Sequence, residues 1–78
     1  MIFEVGKLYQ MKELTYTVYA LNAKLIDGKY ELIGDGAILI KPADIALVID
    51  GLEYDDWFIG ICAEHLLFMP KAAFERIE

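Results

Sequence analysis

Seventy-eight residues and 8.9 kDa leave room for one small domain, for which area scaling gives about 4,800 Å² of folded surface. With 58% hydrophobic residues and Cys62 as the only cysteine, the composition excludes intrinsic disorder, collagen and a disulfide scaffold. Residues 1–31 are charge-neutral, so the net charge of −6 lies in residues 32–78, which leaves that part without a basic stripe for phosphate backbones.

In chain order the sequence reads as short strands divided by Gly, Asp and Pro. Residues 14–21 are rich in β-branched and aromatic types, with Leu14, Tyr16, Val18 and Ala20 on one face and Thr15 and Thr17 on the other. Asp27-Gly28, between residues 23–26 and 29–33, predicts a two-residue hairpin turn. Asp35-Gly36 repeats that punctuation before a strand over 37–40, and Lys41-Pro42-Ala43-Asp44 breaks the chain, because proline has no N–H to give a ladder. Residues 45–49 are apolar at every position, as expected of a strand covered on both sides. An acidic loop over 50–56 follows, then strands over 57–63 and 66–69 turning at Glu64-His65, one tight helical turn over 70–74, and a last strand over 75–77. No run long enough for an amphipathic helix survives the Gly and Pro spacing. The expected fold is an all-β small barrel of five or six short strands with an added N-terminal hairpin and one short helical turn, in one domain over residues 1–78.

The missing residue types narrow the chemistry. The chain has no serine, one histidine (His65) and one arginine (Arg76), so the only nucleophile and base pair on offer is Cys62 with His65, at a spacing that forms no motif. A lone cysteine in an apolar strand reads as core, and a histidine at a hairpin tip as solvated. Two ligands cannot close a structural zinc site, no phosphate-binding glycine loop occurs, and the acidic residues Asp50, Glu53, Asp55 and Asp56 match no calcium-loop spacing. The expectation is a non-enzymatic protein that needs no cofactor. The longest apolar run, over 57–63, is far short of the roughly 20 residues of a spanning helix, and the N-terminus lacks the basic start of a signal peptide, so the expected compartment is the cytoplasm.

Two resemblances follow from particular residues. Lys41-Pro42-Ala43-Asp44 leading into 45–50, the aromatic pair Trp57-Phe58, and Met69-Pro70 followed by Phe74-Glu75-Arg76-Ile77 together resemble the second half of Src-homology-3-like barrels over residues 41–78. In that family Trp57 and Pro70 would stand in a peptide groove, whereas Ala72 and Ala73 occupy positions that usually hold an asparagine and a tyrosine. More faintly, residues 23–29 with Gly34, and Val48-Ile49-Asp50-Gly51, resemble Sm-like RNA-binding barrels. In those an arginine precedes the glycine; here Asp50 reverses the charge.

Side chains beyond what one core of this size can hide imply a homo-oligomer, because an exposed apolar patch generally marks an interface. The candidate contact residues, toward a second copy or another protein partner, are Trp57, Phe58, Phe68 and Phe74. The alternative is an Sm-like oligomeric ring that binds single-stranded RNA or DNA through Lys7, Lys12, Lys24 and Lys29, with Tyr9, Tyr16, Tyr19, Tyr30 and Tyr54 available to stack bases.

Overall fold

Asp27 and Gly28 both take positive φ, 50° and 79°, which is the backbone of the mirror-image two-residue turn that suits strand twist. They join β2 (Val18–Ile26) to β3 (Lys29–Ile40) in the hairpin expected from the sequence. The other strands are β1 (Leu8–Met11), β4 (Ile45–Asp50), β5 (Trp57–Cys62), β6 (His65–Pro70) and β7 (Phe74–Arg76), with a single 3-10 turn at Lys71–Ala73 before the last. A computed structural model of the chain describes residues 3–53 and 55–77. Its strands form one antiparallel sheet in the order β3-β2-β6-β5-β4-β1-β7, open at β3 and β7.

The all-β expectation and the lone helical turn hold, with local differences. Strand β2 starts at Val18 rather than Leu14, because residues 15–16 form a bend; Val18 and Ala20 are buried as expected, while Tyr16 is exposed. Asp35-Gly36 does not end a strand. The register runs from Leu21↔Ala37 to Ala23↔Leu32, so residues 33–36 oppose Asn22 alone and form a bulge within β3. Asn22 meanwhile pairs with Leu67 of β6, so beyond it the hairpin projects as a two-stranded arm.

The β5–β6 turn falls at Ala63-Glu64, one residue earlier than Glu64-His65, with φ of 51° and 68°. Neither residue is glycine, and left-handed backbone costs an L-residue about 1–2 kcal/mol. Glu64→Gly is therefore expected to raise stability by about 1 kcal/mol, read as a higher urea midpoint at unchanged slope.

Period-2 alternation gives each strand an inner face. Ala46 and Val48 of β4, Phe58 and Cys62 of β5, and Leu67 and Met69 of β6 are buried in one cluster with Phe3, Tyr9, Met11, Val18, Ala20, Ile40, Ala73 and Phe74. The aromatic centre is tightly organised: Phe3 stacks on Tyr9 at 4.1 Å, and Phe58 meets Phe74 edge-on at 5.2 Å. Gly60 lies where a Cβ would stand 2.8 Å from Met69 Cε and 2.9 Å from the Leu47 carbonyl oxygen, so β4, β5 and β6 close on it only because it has no side chain.

Candidate interaction face

The outward positions of the strands are also apolar. Cross-strand registers place Leu8 opposite Leu47, Leu47 opposite Ile61, and Ile61 opposite Leu66, making a row of four aliphatic side chains across β1, β4, β5 and β6. Leu8 is 47% exposed and Ile61 43%. Beside it runs a second row, Ile59, Phe68, Leu21 and Ala37, across β5, β6, β2 and β3. Ile59 is fully buried yet stands apart from the main core cluster, so the outer face has its own small hydrophobic centre. Next to it, Tyr19 of β2 faces Leu39 of β3, and both are exposed. Residues 45–49 carry the point: Ala46 and Val48 are covered, while Ile45 is exposed and Leu47 and Ile49 are half-buried. The second cover that their composition calls for does not come from the described residues.

The arm adds to this face. Ala23 pairs with Leu32 and Leu25 with Tyr30, so these four side chains share one side of the ribbon, and Lys24, Ile26, Lys29 and Glu31 share the other. The apolar side curls toward Trp57 and Phe68, and Leu21, Tyr30, Leu32, Trp57 and Phe68 line a cleft between arm and sheet. Leu32, at 59% exposed, forms its open lip. A two-stranded ribbon is marginal alone, so an arm with this much exposed apolar surface is stabilised by whatever covers it. The total accessible surface, 5217 Å², exceeds the area-scaling value by roughly 400 Å².

Trp57 also borders a groove lined by Glu53, Asp55, Asp56, Pro70, Lys71 and Ala72. Trp57 and Pro70 are cross-strand partners at its floor. The acidic loop beside it is fastened rather than free. Asp50 Oδ1 accepts the Leu52 N–H at 3.0 Å, the buried Lys71 Nζ donates to the Leu52 carbonyl at 3.0 Å, and the Lys71 N–H donates to the Asp56 carbonyl at 2.8 Å. Lys71 Nζ also stands 6.0 Å from the centre of the Phe3 ring. Among the described residues no group of three or more His, Cys, Asp or Glu side chains converges as a metal site.

The structure divides the four candidate contact aromatics. Phe58 and Phe74 are fully buried in the core of a single copy and are withdrawn as contact residues, because their positions point inward where Trp57 and Phe68 point outward. Trp57, 37% exposed, and Phe68, half-buried, stay on the outer face. The strand alternation missed Leu21, Leu32 and Ile61 as contact candidates, although the apolar character of both strand faces was their signal.

The four lysines do not converge within one chain. Lys7 and Lys12 flank β1, Lys24 and Lys29 sit on the arm, and β4, β5 and β6 lie between these places in the sheet. Lys12 Nζ donates to the Ala72 carbonyl at 3.1 Å, and Lys24 stands opposite Glu31. Of the tyrosines, Tyr9 is buried under Phe3, Tyr16 and Tyr19 are exposed, Tyr30 lines the cleft, and Tyr54 lies outside the described residues.

Cys62 and His65 are paired in register across the β5–β6 turn, but the thiol is buried and His65 is exposed. Burial, and secondarily the Asp44 carboxylate, push the Cys62 thiol above its ordinary range, the reverse of an activated nucleophile. A raised thiol value favours the neutral form in the fold, so its stabilising contribution is complete below the ordinary thiol range and is lost as pH rises beyond that range and through the raised folded-state value. Labelling of Cys62 by a thiol reagent is expected to track global unfolding at neutral pH; labelling as fast as that of a free peptide thiol would contradict this placement.

No helix among the described residues is long and apolar enough to cross a membrane. Comparison with protein-family models, with curated proteins and with solved structures returned no match for the chain.

Proposed function

We propose that this chain is a non-enzymatic assembly module that self-associates through the outer face of its sheet and, through the same kind of contact, engages protein partners. One observation carries the reading: the sheet is apolar on both faces, and among the described residues the outer face, unlike the inner one, leaves large apolar side chains such as Leu8, Tyr19, Leu39 and Ile61 exposed. The outer rows Leu8-Leu47-Ile61-Leu66 and Ile59-Phe68-Leu21-Ala37 carry no charge, so two copies can meet there without opposing like charges, despite a net charge of −6.

The magnitudes indicate a modest contact. Covering the exposed half of a leucine or isoleucine is worth about 1 kcal/mol, half the value for the whole side chain. The first row from each of two copies then yields less than about 8 kcal/mol, since Leu47 and Leu66 are already partly covered, and this lies inside the range of about 4–15 kcal/mol lost in rigid-body freedom on association. Leu25, Leu32 and Trp57 must contribute for the contact to hold at micromolar concentration. The proline, the 3-10 turn and the closing strand at 70–76 support a resemblance to Src-homology-3-like barrels in the C-terminal half. That likeness concerns architecture.

Trp57 is the only tryptophan, and it reports on this face directly. Its emission is expected to shift to the red as the protein is diluted from micromolar to nanomolar concentration and the cleft becomes wetter. Emission independent of concentration, at a constant mass of one chain, would overturn the proposal.

A further inference from the structure

The arm carries its own unpaired stretch of backbone. Along residues 29–32, β3 keeps unbroken register with residues 23–26 of β2, and no strand lies on its other side. The two-residue turn closes on Ile26 and Lys29, which face each other, so by alternation Tyr30 and Leu32 turn their backbone N–H and C=O groups to the free side. Lys29 and Glu31 flank Tyr30, and both are exposed on the charged side of the ribbon. Arg76 with Glu4 is the one ion pair among the described residues, so neither Lys29 nor Glu31 has an ionic partner there. An exposed strand with a lysine and a glutamate on either side of one residue is complementary to itself.

We infer that the arms of two copies pair antiparallel along residues 29–31, about a two-fold axis through Tyr30. The inference rests on the reading that the chain self-associates, and it names a second contact within that assembly. In this register Tyr30 exchanges backbone hydrogen bonds with Tyr30 of the second copy, and each Lys29 stands directly opposite a Glu31 in the more closely spaced kind of cross-strand pair. Neighbouring registers lose that match. Centred on Lys29 or on Glu31, the pairing sets like charges against each other. Centred on Leu32, it sets Glu31 against Ile33 and runs into Gly34, whose φ of 66° departs from strand geometry. The other side of the joined arms is uncharged, since Leu25 and Tyr30 of one copy continue into Tyr30 and Leu25 of the next. An isologous contact closes after two copies, so this edge is consumed rather than propagated into a fibre. Three rows make a small contact, and it acts between copies that the outer faces already gather, where the second contact forms within one assembly. An axis perpendicular to the ribbon keeps both outer faces on one side, free to meet those of another joined pair.

Charge exchange provides the test. Lys29→Glu and Glu31→Lys, each alone, set like charges on both flanks of Tyr30. Each is expected to form assemblies with half as many chains as the wild type, by native mass spectrometry, with unchanged strand circular dichroism. The double variant exchanges the two charges within one chain, restores both opposite pairs, and is expected to recover the wild-type assembly. An equal mixture of the two single variants is expected to recover it as well, with both chains present in equal number. Lys29 faces Ile26 in its own chain, so Lys29→Glu opposes no charge there and its result stands whatever Glu31→Lys, facing Lys24, does to the hairpin. Lys29→Glu assembling like the wild type, or a double variant that folds but does not recover, would overturn the arm pairing while leaving self-association in place. A wild type found only as single chains would overturn both.

Discussion

Ile61→Lys is expected to weaken face-to-face association by about 100-fold, or about 3 kcal/mol, because an ammonium at the centre of a desolvated row must either be buried or hold the surfaces apart. Ile61 is flanked by Leu47 on one side and Leu66 on the other, so no neighbour in the row offers it a partner. Its outward position also predicts a small effect on the fold: exposed strand substitutions fall within about 0.5 kcal/mol when no cap, turn or core contact is lost. The two readouts separate the interface from the fold. Sedimentation velocity should show the variant dissociating at concentrations where the wild type remains assembled, while its chemical denaturation midpoint at low concentration stays with that of the wild type. A variant that assembles normally would mean that the row is not a contact surface.

The opposite pattern is expected one residue type inward. Phe58→Ala removes a fully buried ring that packs on Phe3 at 4.7 Å and on Phe74 at 5.2 Å. Large-to-small aromatic replacements in a core cost about 3–5 kcal/mol, and a chain of this length has a total stability of about 4–12 kcal/mol. Phe58→Ala should therefore lose at least about a quarter of the total stability, read as a much lower denaturation midpoint, and unfold at 37 °C if the wild type lies at the low end of that range. Gly60→Val tests the same layer by overfilling: its Cβ collides with the Leu47 carbonyl, a backbone atom that cannot swing aside as the Met69 methyl can. If Phe58→Ala retained a wild-type transition and lost only assembly, the assignment of Phe58 to the core rather than to a contact would be wrong.

These two residues, three positions apart in one strand, mark where sequence reasoning ran out. The local punctuation was legible. Asp27-Gly28, the break at Lys41-Pro42, and the proline followed by a helical turn at 70–74 are all set by residues within a few positions, and they stand where expected. The Ala63-Glu64 turn was harder because it uses left-handed backbone without a glycine to announce it. Asp35-Gly36 resembles a turn, but long-range pairing of Asn22 with Leu67 and of Leu21 with Ala37 turns that stretch into a bulge.

The site was legible as a quantity and not as a place. An apolar excess can be counted from composition, and it implied a contact surface. Deciding which aromatics supply that surface requires knowing which face of a strand turns inward, and a strand apolar at every position hides that choice. Phe58 and Trp57 are adjacent and both large, yet their side chains point to opposite faces. Lys71 gave no local sign of burial either. Its ammonium is drawn inward by the Leu52 carbonyl, nineteen positions away in the chain.

The most direct measurement of the whole account is sedimentation equilibrium of the unmodified chain over a range of concentrations that brackets the micromolar. Coverage of the outer face by other copies requires a mass that rises with concentration to a multiple of 8.9 kDa. A mass of 8.9 kDa at every concentration would contradict it, since Leu8, Tyr19, Leu39 and Ile61 would then stand permanently in water.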